Sequence, residues 1–259
     1  MIFTDTHAHL YSEEFNDDRT AVVQRAIDAG VPYMLLPGID SSFVDGMLAL
    51  CSQFPLNCFP MMGLHPTSVK ESYQEELDNL YAQLQKHAGS IRAIGEIGID
   101  LYWDKTYQAE QEEAFRIQLQ WSKEYKLPVV IHTRNSFDLT VGILEEMKDP
   151  ALKGVFHCFG GNIAQAERAI ALGFKLGIGG VVTYKNSGLQ QVVEATGVRH
   201  LLLETDAPYL TPAPHRGKRN ESSYIPIIAQ KIAEIKNLPV EEIAGITTEN
   251  ALSLFNISN

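Results

Sequence analysis

Short apolar runs alternate with longer stretches of helical periodicity along the whole chain. The apolar runs are typical of buried strands and cover residues 2–7, 33–37, 57–64, 91–96, 128–132, 154–157, 174–178 and 201–204. Each run is followed by a predicted helix, over residues 16–29, 41–53, 75–87, 108–126, 136–148, 163–171, 188–195 and 223–235, and a last helix is predicted over 240–255. The chain therefore alternates strand and helix eight times.

Near-continuous apolar strands connected through helices are typical of a parallel sheet covered by helices. Eight such units in 259 residues predict an α/β fold, a (β/α)8 TIM barrel, and we expect residues 1–259 to form one domain. The rival is a doubly wound open sheet, whose dinucleotide-binding members carry a Gly-x-Gly-x-x-Gly turn after the first strand. No such turn follows residues 2–7, so the barrel is preferred.

Composition narrows the class of protein further. The chain is 45% hydrophobic and 20% charged, which is ordinary for a globular protein, and its three cysteines form no Cys-x-x-Cys motif. It has neither a membrane-length apolar run nor a signal-peptide pattern, so we expect a cytoplasmic protein without a membrane partner. A net charge of −11 argues against unspecific coating of duplex DNA but leaves a nucleic-acid substrate open. The sequence indicates no obligate protein partner.

The candidate chemistry begins at the end of the first predicted strand, with His7 and His9. Side chains at positions i and i+2 of a strand leave the same face, with Cβ atoms roughly 6.6 Å apart. Two imidazoles at that spacing can converge on one metal ion, because each metal–nitrogen bond is about 2.0–2.1 Å long. The alternative is a pair of partly exposed polar residues.

Other metal-binding residue types end further predicted strands. They are His65 at the third strand, Glu96 at the fourth, His132 at the fifth, His157 at the sixth and Asp206 just after the eighth. In a barrel these strand ends face one mouth, where active sites of this architecture lie. A single strand-end His or Asp more often caps a helix, but the repetition of the pattern favours a shared site.

The ligand types suit a pair of divalent ions. His7, His9 and Asp206 can hold one ion, and His132 and His157 can hold a second. Glu96 can bridge the two through its two oxygens. Mixed imidazole and carboxylate ligands favour Zn²⁺, Mn²⁺ or Fe²⁺ over Mg²⁺. Such a pair activates water and polarises the oxygen of the bond under attack, which is hydrolysis chemistry.

Several motifs in this order resemble the TatD family of metal-dependent hydrolases, within the amidohydrolase-like barrels. The resemblance covers nearly the whole chain and rests on Thr4-Asp5-Thr6-His7-Ala8-His9-Leu10, Gly63-Leu64-His65-Pro66, Gly95-Glu96-Ile97-Gly98-Ile99-Asp100, Ile131-His132-Thr133-Arg134, Phe156-His157-Cys158-Phe159, Leu203-Glu204-Thr205-Asp206-Ala207-Pro208-Tyr209-Leu210-Thr211-Pro212 and Pro214-His215-Arg216-Gly217-Lys218-Arg219-Asn220-Glu221.

The resemblance implies a metallo-dependent hydrolase barrel with two divalent ions (Zn, Mn or Mg) at its mouth. It assigns metal-ligand roles to the same six residues, His7, His9, Glu96, His132, His157 and Asp206. It also implies a deoxyribonuclease that cleaves phosphodiester bonds from an end of single-stranded or frayed DNA, with RNA as a further possible substrate. The chain departs from the family where Leu101-Tyr102-Trp103 stands in place of two aromatic residues.

The expected catalytic residues are Glu96 and Asp206, the latter as acceptor of a proton from the attacking water. Arg134 is expected to clamp a phosphate oxygen, with a salt bridge at the rim as its alternative. His65 is expected at the substrate phosphate, beside a metal ligand, or as a helix cap. Arg216 lies in a basic loop, residues 215–219, that faces nucleic acid or solvent.

Further expectations concern side chains around the ligands. Tyr102, Trp103 and Tyr209 are candidates for stacking on a terminal base. Asp5, Asp100 and Glu204 are candidates for orienting ligating histidines, and Glu204 could equally face the helix layer.

Two other functions compete with a nuclease. The same metals polarise a carbonyl as readily as a phosphoryl group, so a small-molecule lactone, amide or ester hydrolase is the first alternative. The second alternative is a barrel that binds without catalysis, which the complete ligand set disfavours.

Overall fold

Strands and helices alternate throughout the computed structural model, which describes residues 1–258. The strands are β1 (Thr4–Asp5), β2 (Tyr33–Leu36), β3 (Cys58–Pro60), β4 (Ile94–Asp100), β5 (Val129–Arg134), β6 (Gly154–Phe156), β7 (Phe174–Ile178) and β8 (Leu201–Leu203). The helices are α1 (Arg19–Asp28), α2 (Val44–Gln53), α3 (Tyr73–His87), α4 (Gln108–Tyr125), α5 (Phe137–Glu146), α6 (Ile163–Ala171), α7 (Leu189–Ala195), α8 (Ile225–Lys236) and α9 (Val240–Phe255).

All strand pairs are parallel, and the strands close into a barrel. One ladder runs β1-β2-β3 and the other runs β4-β5-β6-β7-β8. A bridge between Met62 and Ile94 joins β3 to β4, and a bridge between Ala8 and Ala207 joins the segments that follow β1 and β8. The predicted (β/α)8 barrel is confirmed. The single domain over residues 1–259 stays a prediction, because Asn259 lies outside the described residues.

The barrel interior is apolar at its lower end and polar at its mouth. Val130 and Val155 are buried in a cluster with Phe255 at the end of α9. His132 and His157 follow these two valines at i+2 and therefore point from the same face of their strands, one layer higher. Helix α9 thus closes the barrel from below, and the imidazoles rest on a packed apolar floor.

Two of the strand boundaries differ from the prediction in a way that matters for the site. We had predicted that Glu96 ends β4 and that His132 ends β5. Both predictions are wrong, because β4 continues to Asp100 and β5 continues to Arg134. Beyond Glu96 the ladder continues through pairs of Gly98 with His132 and of Asp100 with Arg134, and Asp100 is buried where it accepts from His132. A strand that carries functional side chains on its inner face departs from the apolar run by which a buried strand is predicted.

Strand β4 carries an irregularity at the position of Glu96. The register with β5 shifts between Ile94 and Ile97, so that two residues of β4 oppose one residue of β5. Gly95 fits there because a Cβ on it would lie 2.6 Å from Cβ of Val130. A bulge of this kind re-aims a side chain, and here it aims Glu96 into the mouth.

No helix within residues 1–258 combines the length and the apolar character that a membrane span requires.

Candidate metal centre

Four side chains meet on one side of the mouth. The Nε2 atoms of His7 and His9 lie 3.3 Å apart. Oε2 of Glu96 lies 3.1 Å from Nε2 of His7 and 3.7 Å from Nε2 of His9. Oδ1 of Asp206 lies 3.8 Å and 3.7 Å from the same two nitrogens. The predicted convergence of the first-strand histidines with Glu96 and Asp206 is therefore present in space.

The second oxygen of Glu96 faces a different group of imidazoles. Its Oε1 lies 2.9 Å from Nδ1 of His132, 3.2 Å from Nε2 of His65 and 3.7 Å from Nε2 of His157. Nε2 of His157 is also 3.7 Å from Oδ1 of Asp206. The five other predicted ligands thus lie around the Glu96 carboxylate, and so does His65, which we had expected at the substrate phosphate, beside a metal ligand or as a helix cap.

Hydrogen bonds fix which ring nitrogen of His9 and His132 faces the centre. Nδ1 of His9 lies 3.1 Å from the hydroxyl of Tyr11, which itself donates to the carbonyl of Pro37. The hydroxyl must therefore accept from Nδ1, which leaves the Nε2 lone pair of His9 directed at the site. Nε2 of His132 donates to Oδ2 of Asp100 at 2.8 Å, so this ring offers its Nδ1 instead.

Glu204 lies beside the other ring nitrogen of His157, at ion-pair distance but without the geometry of a hydrogen bond. Its Oε1 lies 3.2 Å from Nδ1 of His157 and accepts the backbone N–H of Cys158. The carboxylate occupies space that Gly177 of β7 leaves open, since a Cβ on Gly177 would lie 2.7 Å from Cδ of Glu204. Of the two alternatives for Glu204, the structure places it at the site and not in the helix layer.

His65 differs from the other imidazoles in its hydrogen bonding. Its Nδ1 accepts the backbone N–H of Thr67 at 3.1 Å and caps a short 3₁₀ turn. An imidazole that accepts at Nδ1 carries its proton on Nε2, so the atom that His65 turns toward Glu96 is a donor and not a lone pair. His65 is thus a helix cap and a hydrogen-bond donor to the site.

Burial and close charges shift the pKa values across the cluster. Burial alone would raise the pKa of Glu96, but the surrounding imidazoles hold it well below its usual range. Burial raises the pKa of Asp206 to about 7 and lowers that of His9 to about 4. Burial opposes the charged form of His132, yet Asp100 and Glu96 raise its pKa to about 8.

The donor set fits divalent cations. Two ligands bound about 2.1 Å from one ion at tetrahedral or octahedral angles lie about 3.0–3.4 Å apart, close to the 3.3 Å between the Nε2 atoms of His7 and His9. Facing lone pairs at that distance repel each other unless a cation or a proton lies between them. The Nδ1 of His7 is buried without a hydrogen-bond partner among the described residues, which leaves Nε2 as its functional atom.

Asp5 accepts hydrogen bonds mainly from backbone N–H groups of the site. We had expected it beside a histidine ring, but its carboxylate accepts the N–H of His7 at 3.2 Å and the N–H and hydroxyl of Thr205 at 3.0 and 2.6 Å. It therefore ties the segment after β1 to the segment after β8. Asp206 follows in the left-handed region, with φ 57°, and its N–H donates to the carbonyl of His7.

The predicted substrate-binding cations lie at the rim in different environments. The guanidinium of Arg134 lies 3.8 Å from the ring centroid of Tyr102, so it stacks on an aromatic ring and forms none of the salt bridges found among the described residues. Arg216 is exposed and lies 4.2 Å from the ring of Tyr184. Arg219, in the same basic loop, is paired with Asp18 at 2.8 Å and is not free to meet a phosphate.

The barrel, its buried imidazoles and its central carboxylate define a metal-dependent hydrolase. The model of the family described as TatD related DNase matches residues 4–256. The chain belongs to this family.

Two relatives and one solved structure match this chain over nearly its whole length. The chain is 39% identical to the uncharacterized metal-dependent hydrolase YabD of Bacillus subtilis, with 100% of both chains covered. It is 33% identical to the 3'-5' ssDNA/RNA exonuclease TatD of Yersinia pseudotuberculosis, over 98% of this chain and 99% of the other. The crystal structure of YjjV, a TatD homolog from Escherichia coli, superposes with a TM-score of 0.93 at 32% identity, covering 99% of this chain and 98% of the other.

Proposed function

We propose that this chain is a phosphodiesterase that removes nucleotides from an end of single-stranded or frayed DNA, with RNA as a second substrate, and that two divalent ions assist it. One observation carries the proposal: the two oxygens of Glu96 face two separate groups of imidazoles at 2.9–3.7 Å. The exonuclease names of relatives such as the Yersinia protein support a nucleic-acid substrate.

The proposed ligand roles rest on the distances around Glu96 and on the hydrogen bonds of His9 and His132. His7, His9 and Asp206 would hold one ion, His132 and His157 the other, and Glu96 would bridge them. Bound divalent ions would lower the pKa of a water and neutralise charge on the phosphate.

Other residues position the substrate and move the proton. Asp206, whose Oδ1 lies 3.7 Å from Nε2 of both His9 and His157, would offer a carboxylate oxygen to the proton of the attacking water. The Nε2–H of His65 is a donor for a non-bridging phosphate oxygen. Arg134 is exposed at the rim and offers a planar guanidinium, which matches the geometry of a phosphate.

A substrate panel with a ligand variant tests the proposal. With Mn²⁺ present, the wild-type chain should release mononucleotides from a single-stranded oligonucleotide, and Glu96→Gln should lower the rate at least a hundredfold. Glu124→Gln, on the outer helix α4, is the matched control and should keep the wild-type rate. Turnover of lactones, amides or esters without turnover of oligonucleotides would overturn the nuclease assignment in favour of a small-molecule hydrolase. Metal binding without turnover of any substrate would identify a non-catalytic barrel.

A further inference from the structure

A separate small cavity lies beside the candidate metal centre. It has a volume of about 240 Å³ and lies between the segment after β3 and the segment after β4. Pro66, Thr67 and Lys70 line one side, and Trp103, Tyr107 and Gln111 line the other. None of these six is among the predicted metal ligands, and only Trp103 was singled out by the sequence.

The cavity is one hydrogen bond away from two imidazoles of the centre. Thr67, on its wall, contacts Nδ1 of His65 through both its backbone N–H and its hydroxyl. Asp100, which also lines the cavity, accepts from Nε2 of His132. The other nitrogens of these two rings face Oε1 of Glu96. The cavity is therefore linked to the centre by two short paths, Thr67 to His65 to Glu96 and Asp100 to His132 to Glu96.

The residues that line the cavity are suited to bind a flat aromatic ring with a polar edge. Trp103 is 70% exposed, although large aromatic side chains are usually buried. Its backbone N–H donates a hydrogen bond to Oδ1 of Asp100, which holds the residue in place. Tyr107 supplies a second ring on the same side. The amide oxygen of Gln111 accepts the N–H of Asp100 at 2.8 Å, which leaves its amide NH₂ as a donor without a partner among residues 1–258.

We propose that this cavity, the Trp103 cavity, holds the base of the substrate nucleotide whose phosphate lies at the metal centre. The proposal rests on the proposed phosphodiesterase function and names its substrate class more closely. The volume is below the 300–1,000 Å³ or so of sites for drug-sized ligands, and suits a single base better than a longer molecule. Stacking on an aromatic face tolerates every base, so the cavity predicts nucleotide selectivity without sequence selectivity.

An exposed ion pair lies at the rim of the Trp103 cavity. Nζ of Lys70 lies 3.6 Å from Oδ2 of Asp104, with side chains 52% and 45% exposed, and 5.4 Å from the centroid of Tyr107. Exposed pairs of this kind contribute little to stability and part readily. Lys70 can therefore turn from Asp104 to an acceptor on the base without leaving a buried charge.

Binding of two small phosphates separates the base from the rest of the nucleotide. The Mn²⁺-loaded protein is titrated by calorimetry with deoxyadenosine 5′-monophosphate and with 2-deoxyribose 5-phosphate, which lacks the base. The proposal predicts that the nucleotide binds at least about tenfold more tightly, as stacking of one base implies. Trp103→Ala should remove this difference, whereas Trp103→Phe should keep most of it.

Leu56→Ala is the control, because it removes a large side chain that is 78% exposed and far from the mouth, and Tyr209→Ala tests the rival position, the aromatic side chain after β8 that the sequence also offered for stacking. Leu56→Ala should leave the difference between the two ligands unchanged. If the base lies in the Trp103 cavity, Tyr209→Ala should also leave the difference unchanged. A second readout comes from fluorescence, since the chain has two tryptophans and Trp121 is only 6% exposed. In a Trp121→Phe background, the nucleotide should quench Trp103 and the sugar phosphate should not.

Equal affinity for the two ligands, or loss of the difference in Tyr209→Ala instead of Trp103→Ala, would overturn the cavity assignment. Neither result bears on the proposed nuclease function, which is tested separately by the Glu96-dependent release of nucleotides. Absence of that release, with base-dependent binding retained, would overturn the nuclease and leave the Trp103 cavity as a nucleotide site.

Discussion

The hydroxyl of Tyr11 lies 3.1 Å from Nδ1 of His9 and donates its own proton to the carbonyl of Pro37. This chain of two hydrogen bonds determines the tautomer of His9 and directs the Nε2 lone pair at Glu96. A side chain outside the His-x-His motif therefore sets the ligand character of the motif. Partners of this kind hold metal-ligating histidines in the correct orientation and protonation state.

Replacement of Tyr11 by Phe should weaken metal binding. The variant loses the acceptor for Nδ1–H of His9, and loss of such a partner typically costs about 10–100-fold in metal affinity. Competition against a chelator measures the change. Tyr81→Phe is the matched control, since the Tyr81 hydroxyl binds Glu124 on the outer helices at 2.8 Å. Equal affinity of Tyr11→Phe and Tyr81→Phe would show that the Tyr11 bond does not orient a ligand.

His65 and His132 should behave differently when each is replaced by Ala. His132 offers a lone pair and His65 a proton, so His65→Ala should retain the wild-type metal content while His132→Ala loses metal. We expect kcat/KM on an oligonucleotide to fall about 10–100-fold in His65→Ala, as for loss of one hydrogen bond to a charged group. Elemental analysis of the purified variants decides the point. Metal loss in His65→Ala would make His65 a ligand.

Gly177 and Glu204 should be coupled in stability. Every atom that a Cβ on Gly177 would meet within 3.0 Å belongs to the Glu204 carboxylate, which is itself held by Cys158 and His157. Gly177→Ala should therefore lower the free energy of unfolding by about 1–3 kcal/mol in the wild-type background. In a Glu204→Ala background the same change should cost much less, because the carboxylate is gone.

A double-mutant cycle by urea denaturation measures that coupling. Gly142→Ala serves as the control substitution, because a Cβ on Gly142 meets nothing within 4 Å. Additive costs for Gly177→Ala and Glu204→Ala would contradict the role of Gly177 in making room for the carboxylate.

Asp18 should stabilise the fold in a pH-dependent manner. Arg219, together with Arg25, lowers the pKa of Asp18 from 3.8 to about 2 against an opposing effect of burial. A carboxylate whose pKa is lower in the folded state contributes stability above its unfolded pKa and loses it as the pH falls through the folded value. Asp18→Asn should therefore cost about 1 kcal/mol at pH 7, the value typical of a well-formed surface pair.

The cost of Asp18→Asn should shrink between about pH 4 and pH 2, the two pKa values that bound the effect. Thermal melting of both proteins across this range is the measurement. Asp17→Asn makes the same charge change one residue earlier at an exposed position and should have little effect. A constant difference at every pH would mean that packing, and not the charge of Asp18, is responsible.

The amino-acid sequence predicted the barrel because its strands are apolar on both faces and its helices carry a regular stripe. It misplaced the ends of β4 and β5, where buried carboxylates and histidines replace apolar residues on the inner face. Glu96 lies inside β4, at a bulge that depends on the fit of Gly95 against Val130. Such a fit is a relation between two strands and leaves no periodic signal in either one.

The metal-binding residue types were predictable because a parallel barrel brings all strand ends to one mouth. Their hydrogen-bond partners were predictable only in part. Asp100 and Glu204 lie beside rings as expected, but Tyr11 was missed and Asp5 binds backbone instead. The role of His65 depended on a contact with Thr67, two residues away, which can be seen only once the local turn is known. The Trp103 cavity joins two loops and has no motif of its own.

We propose that Glu96 joins two cation sites through its two oxygens. Anomalous diffraction from crystals soaked in Mn²⁺ tests it most directly. We expect two anomalous peaks about 3.5–4 Å apart, one on each side of the Glu96 carboxylate. A single peak, or two peaks of which neither contacts Glu96, would contradict it.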